Sequence, residues 1–463
     1  MNKKRVFGLF LALVLLVLSL GYLGKLTMQK DATPRYVDFY ERPEAYDVLF
    51  FGTSHVRNGI MPLELWEDYG LTGYNFGTSG ASILTSYWGM INALDRAQPK
   101  LIVLDCCRIA QETKDNPRAD MHALSLHDMF DPVPFSLNKL RAIFDLCKDT
   151  EQEGNELEYL YPFSIYHSRW NQLTENDFSP RVLHTNGAEQ MTSFEAPDPM
   201  EPTEDKAQLS DAFPGVPYLK RFIEHCQSKG IEVLLTYLPY PAPYEDLAAA
   251  NAVEDIAQAY GVHYINFYKA DVVDYDIDMA DASSHLNLYG AKKVTRYLGD
   301  FIAENYDLPD RREDPAYSWM NELLAGYRAY ENDFLSSQVY LHCYLPLLRN
   351  ESWASLILLK EDSPVYNDEA MLKVIEGIPA SGQVSQLRQA AESGQAYALY
   401  VNNASGQLVE LVGSIPDQLD TDLGSISLNP MSDVQCVVLD SNGIVLAERY
   451  FAHLGDGIFK AVY

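Results

Sequence analysis

From residue 48 to residue 306 the chain alternates short apolar runs with longer stretches whose apolar residues recur at helical spacing. The runs at 48–51, 74–76, 101–105, 232–238 and 264–267 are predicted strands; 62–69, 82–97, 217–228, 244–260 and 288–305 are predicted helices. Strands separated by helices of this length need crossover connections, and so a parallel sheet covered on both faces. The predicted class is α/β, a three-layer sandwich. Residues 149–215 interrupt the alternation with Glu, Asp, Pro and aromatic residues, "YLYPFSIYHSRWNQL" at their centre, and read as an insertion over one end of the sheet.

The pattern changes after the charged, proline-bearing stretch "DLPDRREDPAY". Beyond a helix-like segment, "QAYALYVNNASGQLVELVG" and "DVQCVVLDSNGIVLAERYF" each set a polar, glycine-ending turn between two apolar runs, a hairpin signal. With the apolar run at 354–359 they predict a smaller α+β domain. The expected organisation is 1–30, 31–310, 311–345 as linker and helix, and 346–463.

The first segment is different in kind. Lys3, Lys4 and Arg5 precede an uncharged run, 6–24, whose nineteen residues would make a helix about 28 Å long, close to a bilayer's hydrocarbon core. Its exit, Leu20-Gly21-Tyr22-Leu23-Gly24, lacks a small-x-small cleavage site, so a retained single-pass anchor is expected rather than a cleaved signal peptide. The basic flank would keep the N-terminus cytoplasmic and the bulk of the chain extracytoplasmic.

Composition narrows the partners. The 463 residues carry 65 acidic against 35 basic side chains, a net charge of −30 that repels a phosphate backbone and argues against nucleic acid. Six cysteines, at 106, 107, 147, 226, 343 and 436, show neither metal-ligand nor disulfide-framework spacing. They are expected to be mostly buried thiols, with no structural metal and no cofactor.

The chemistry is concentrated at two places. "GTSH", residues 52–55, follows the first predicted strand, so the Ser54 hydroxyl would lie at the carboxyl edge of the sheet, where open α/β folds hold their ligands. Ser54 could instead simply cap the next helix. A serine nucleophile needs a neighbouring base, normally a histidine oriented by a carboxylate. "DMADASSHLNLYG" offers His285 just before the last helix of the α/β region, with Asp281 and Asp278 upstream.

Gly52-Thr53-Ser54 after the first strand, "YNFGTSG" after the second and Asp281…His285-Leu286-Asn287 before the last helix occur in the order of the SGNH (GDSL-like) hydrolase superfamily. The chain resembles its membrane-linked, cell-surface branch, which includes proteins of teichoic-acid D-alanylation and alginate O-acetylation. The resemblance covers residues 46–305 and implies a flavodoxin-like sheet in which Ser54, His285 and Asp281 perform ester hydrolysis or O-acyl transfer. It departs from the superfamily at two points. The usual Asp-x-x-His has Ala282 at the acid's place, leaving Asp281 one residue further away and Asp278 in reserve. The family's Gly-x-Asn-Asp is replaced by "LDCCRIA", so the oxyanion is expected to rest on the N–H groups of Ser54 and Gly77, with Asn75 or Arg108 as weaker candidates. His55 and Arg57 read as structural or rim residues. Tyr166, Arg169 and Trp170 could line a substrate rim, aromatic faces stacking on sugars, or could pack the insertion onto the sheet. The expected function is an anchored enzyme acting on acyl esters of cell-envelope glycans or polymers. The alternative is a non-catalytic scaffold or glycan-binding protein, with the C-terminal domain contacting an envelope partner.

Overall fold

The computed structural model describes residues 3–28, 38–40, 42, 45–110, 123–148, 152–178, 185–198, 200–380, 383–429 and 431–462. Parts of the predicted insertion, at 149–151, 179–184 and 199, lie outside these.

Five short strands form one parallel sheet: β1 (Val48–Phe51), β2 (Gly73–Asn75), β3 (Leu101–Asp105), β4 (Glu232–Tyr237) and β5 (His263–Asn266). Their order is β2-β1-β3-β4-β5, so β1 and β3 lie side by side near the middle. Both are buried at every position, as strands covered on two faces must be. One core cluster gathers Phe51, Ile102, Leu104, Val233 and Leu235 with the Gly215–Ser228 helix; another gathers Val48, Phe50, Val103 and Leu234 with the Leu288–Asn305 helix. Side chains alternate between the two clusters along each strand, which gives the layered arrangement its period of two.

A second, six-stranded antiparallel sheet lies C-terminal, in the order β13-β12-β11-β6-β7-β8, with β6 Ala354–Leu359, β7 Tyr397–Asn402, β8 Gln407–Val412, β11 Val434–Leu439, β12 Val445–Gly455 and β13 Ile458–Val462. The two hairpin patterns in the sequence correspond to β7–β8 and β11–β12. A two-stranded ribbon, β9 (Gln418–Thr421) and β10 (Gly424–Ser427), sits between them in sequence.

The segment expected to be a linker is bound to the first sheet's helices. Arg311 makes two bonds to Asp47, at 2.9 and 3.1 Å. On the Ser318–Ser337 helix, Arg328 pairs with Glu64 at 2.8 Å, and Glu331 takes Lys292 at 2.6 Å. Further on, Arg349 bonds Asp278 at 2.7 Å. Ion pairs therefore join the chain before residue 310 to the chain after it, that of Asp278 with Arg349 being buried.

At the N-terminus, Lys3–Thr27 is one helix, long and apolar enough over Lys3–Gly24 to cross a membrane; a signal sequence passes the same test. All six cysteines are free thiols, five of them buried.

Candidate active site

The turn after β1 is built by steric need. Gly52 has φ +153°, and a Cβ there would lie 2.5 Å from Val56 Cγ2 and 2.9 Å from the Asp105 Cβ, so no side chain fits. Thr53 caps the following helix, Ser54–Gly59, its hydroxyl accepting from His55 N–H at 3.1 Å. The capping duty thus falls to Thr53, not Ser54. Ser54 is the first helical residue, where the backbone N–H has no partner within the helix.

The helix is pinned from β2. Asn75, wholly buried, donates both Nδ2 hydrogens, to Val56 O and Ile60 O at 2.8 Å each, and its Oδ1 accepts from Gly77 N–H at 2.8 Å. Two of the expected oxyanion donors are thus already engaged. Asn75 has no donor left for an oxyanion, and the Gly77 N–H already has a partner. Glycine at 77 has a different cause: a Cβ would stand 2.2 Å from Arg57 N and 2.8 Å from Thr53 O, so it lets the two turns touch.

His285 reaches Ser54 from a loop held at both ends. A bridge between Met279 and Leu286 closes it, Ala280 N–H bonds His285 O at 2.7 Å, and Asn287 caps the Leu288–Asn305 helix while donating to Ile277 O at 2.8 Å. Within the loop, Asp281 divides its oxygens. Oδ1 accepts from Ser283 N–H (3.0 Å), Ser283 Oγ (2.9 Å) and Ser284 N–H (2.7 Å); Oδ2 lies 2.6 Å from His285 Nδ1. The extra residue relative to Asp-x-x-His is absorbed in this turn. The imidazole's other nitrogen, Nε2, is 2.9 Å from Ser54 Oγ. Burial alone would raise the Asp281 carboxyl, but the bonds from His285 and Ser283 outweigh it and hold the group below its ordinary value. It stays a carboxylate facing the imidazole.

Asp278 does something else. Fully buried, it pairs with Arg349 through Oδ1 and with Lys293 through Oδ2, each at 2.7 Å. These two cations overcome burial and keep it below its ordinary value. It does not bond His285.

The three residues expected at a substrate rim lie on segments that touch the N-terminal helix. Arg169 donates to Thr27 O at 2.6 Å and Met28 O at 2.8 Å, and pairs with Asp177 at 3.1 Å. Tyr166 packs edge-on to His127, and Trp170 is exposed. The part of the insertion that buttresses the site is residues 186–189. Glu189 N–H bonds Arg57 O at 2.9 Å, its carboxylate pairs with Arg57 at 2.9 Å, and Asn186 O accepts from Asn75 N–H. Gly187, at φ +85°, allows this: a Cβ would be 2.1 Å from Asn75 O. A glycine within a polar stretch was the only signal for it in the sequence.

Behind Ser54 lies a cluster that spacing did not reveal. Donor atoms of His55, Asp105 and Cys107 all lie within 4.8 Å of one another, a set that could hold a metal ion. Asp105 Oδ1 accepts from Leu238 N–H, while its Oδ2 and His55 Nδ1 are buried without a hydrogen-bond partner. The His55 ring packs against Tyr240, centroids 4.3 Å apart and planes tilted by 34°. Burial, reinforced by His285 and Arg108, brings His55 down to about 3; burial brings Asp105 up to about 6 and pushes the Cys107 thiol well up. His55 and Cys107 therefore stay uncharged at neutral pH, while Asp105 holds its proton only below about pH 6.

These shifts predict opposing pH effects. The unfolded chain protonates His55 near 6.5 and the folded chain only near 3, so its contribution is full above 6.5 and lost as pH falls. For Asp105 the folded chain holds a proton up to about 6 against 3.8 unfolded, so its contribution falls as pH rises through that window. Between pH 4 and 6 the two slopes, each at most about 1.4 kcal/mol per pH unit, offset one another. His55→Gln should unmask the Asp105 slope, making the variant gain stability relative to wild type on acidification. Parallel melting curves at pH 4.5 and 6.5 would refute this.

No protein-family model matches the chain, and no curated protein matches it. Among solved structures, a presumed acylhydrolase from Bacteroides fragilis aligns with 58% of this chain and 95% of its own length, at 11% identity and a TM-score of 0.31. A likeness that slight carries no argument about fold or activity.

Proposed function

We propose that this chain is a serine-dependent acyl-transfer enzyme of the SGNH type, either an esterase or an O-acyltransferase. The observation that carries the reading is the continuous relay Asp281 Oδ2···His285 Nδ1 at 2.6 Å and His285 Nε2···Ser54 Oγ at 2.9 Å. The strand order β2-β1-β3-β4-β5 supports it, being that of flavodoxin-like sheets, whose ligand crevice opens beyond β1 and β3.

In this reading Ser54 Oγ attacks an ester carbonyl as His285 Nε2 takes its proton, and Asp281 stabilises the imidazolium. His285 returns the proton to the departing alkoxide. The acyl-enzyme is then resolved by water, giving hydrolysis, or by an acceptor hydroxyl, giving transfer; either nucleophile loses its proton to His285. The Ser54 N–H remains the candidate oxyanion donor. The Lys3–Thr27 helix would anchor the enzyme with its bulk outside the cytoplasm, where acyl esters of envelope glycans or polymers are the fitting substrates.

The second reading, a non-catalytic SGNH-like scaffold or glycan-binding protein, is favoured by one observation: Gly77 N–H and both Asn75 Nδ2 hydrogens are already bonded, leaving the oxyanion short of donors. A fluorophosphonate probe separates the two. Labelling of the full chain that Ser54→Ala abolishes supports the enzyme; a folded wild type that resists the probe supports the scaffold.

A further inference from the structure

The N-terminal helix does not leave the body of the protein at the end of its apolar run. Leu20, Gly21, Gly24 and Met28 line a cavity of about 400 Å³ together with Tyr161, Pro162 and Phe163 of the insertion. A Cβ on Gly24 would lie 3.5 Å from that of Phe163, and Arg169 ties off the helix's last carbonyls. The portion before this contact, residues 6–19, is about 21 Å long, whereas a hydrocarbon core is about 30 Å thick. Residues 20–24 supply the missing length. For the run to span, the protein surface gripping those residues must itself lie at the membrane boundary.

That surface is dressed for the position. Trp170 is 72% exposed and Phe178 62%, and both lie in segments that touch the helix, His167–Asn171 and Glu175–Phe178. Phe135 beside the cavity wall at Pro134, and Leu157 on Glu156–Leu160, are exposed to a similar degree. Isolated exposed apolar residues are ordinary; large ones gathered around the root of a membrane-length helix call for an apolar partner. Aromatic residues with a polar edge, tryptophan above all, favour the headgroup layer. The chain's net charge of −30 disfavours attraction to anionic lipid as the driving force of the contact.

We propose that the insertion is a membrane-seating surface, with Trp170 and Phe178, flanked by Phe135 and Leu157, entering the headgroup layer of the bilayer that the N-terminal helix crosses. The inference rests on reading that helix as a membrane span, and is independent of the chemistry at Ser54. It assigns Trp170 and Arg169 to lipid and to the helix end, in place of a sugar rim.

The test uses the full chain in phosphatidylcholine nanodiscs, with and without bromine on the acyl chains near the headgroup. Brominated lipid should quench a component of the tryptophan emission that Trp170→Phe removes, equally at low and high salt. Identical quenching in wild type and Trp170→Phe would overturn the proposal, as would quenching of Trp170 by aqueous iodide as strong as in a detergent-free unfolded control. Extraction of vesicles with alkaline carbonate separates the two layers of the argument. Release of the chain defeats the span and the seating together, while retention with an unquenched Trp170 defeats the seating alone.

Discussion

Asp281→Asn is expected to leave the protein folded while slowing acylation of Ser54 about 10³–10⁴-fold. The amide is isosteric, and its oxygen can still accept from Ser283 and Ser284 if it occupies the Oδ1 position. The NH₂ would then face His285 Nδ1, which must carry a hydrogen for Nε2 to act as base. The variant therefore selects the wrong tautomer and removes the charge that stabilises the imidazolium. The burst of an activated aryl ester measures the rate, and a melting curve within about 1 kcal/mol of wild type checks the fold. His285→Ala should be at least as damaging. An unchanged burst in Asp281→Asn would reduce the site to a Ser54–His285 dyad.

Asp278→Asn should do the reverse, harming stability far more than the chemistry. Arg349 is 7% exposed and would lose its carboxylate, as would Lys293. Breaking a buried pair from one side costs about 3–5 kcal/mol, because the remaining charge stays desolvated. Arg349→Met should show a loss in the same range by leaving Asp278 with one cation. Since Arg349 belongs to the chain beyond the first sheet, both variants should also loosen that part, so chemical denaturation should lose cooperativity. If either variant melts with wild type, Asp278 does not hold the two parts together. The same contacts bear on a chain cut near residue 310. Such a cut would strip Glu64 of Arg328 and Asp278 of Arg349, and is expected to destabilise the first sheet.

Several elements could be read from local pattern because local physics decides them. The Pro62–Tyr69, Tyr244–Tyr260 and Leu288–Asn305 helices have the predicted bounds, their starts and ends marked by proline, glycine or asparagine. The parallel sheet followed from the alternation of runs. The Ser54–Gly59 helix was not foreseen: six residues with one apolar side chain before the last turn carry too little periodicity, and its stability comes from Thr53 and the bonds of Asn75. The contacts of Tyr166, Arg169 and Trp170 were not legible for a related reason. Aromatic richness shows that a segment needs partners, but not which partners it finds.

What the sequence by itself determined was the cast: a serine after the first strand, a histidine before the last helix with acids upstream, an apolar N-terminal run, and two hairpins beyond a charged stretch. These depend on composition and spacing over a few residues, where propensity and covalent reach are decisive. Which acid faces His285 was settled only by tertiary structure. Asp281 and Asp278 are three residues apart on one loop, but the Met279–Leu286 bridge lies between them, turning Asp281 toward Ser54 and Asp278 toward Lys293 and Arg349. Arg349 is 71 residues away in the chain. No local pattern encodes a partner at that distance, because the pairing is fixed by where the Leu345–Arg349 turn comes to lie and by the need of a buried carboxylate for a cation.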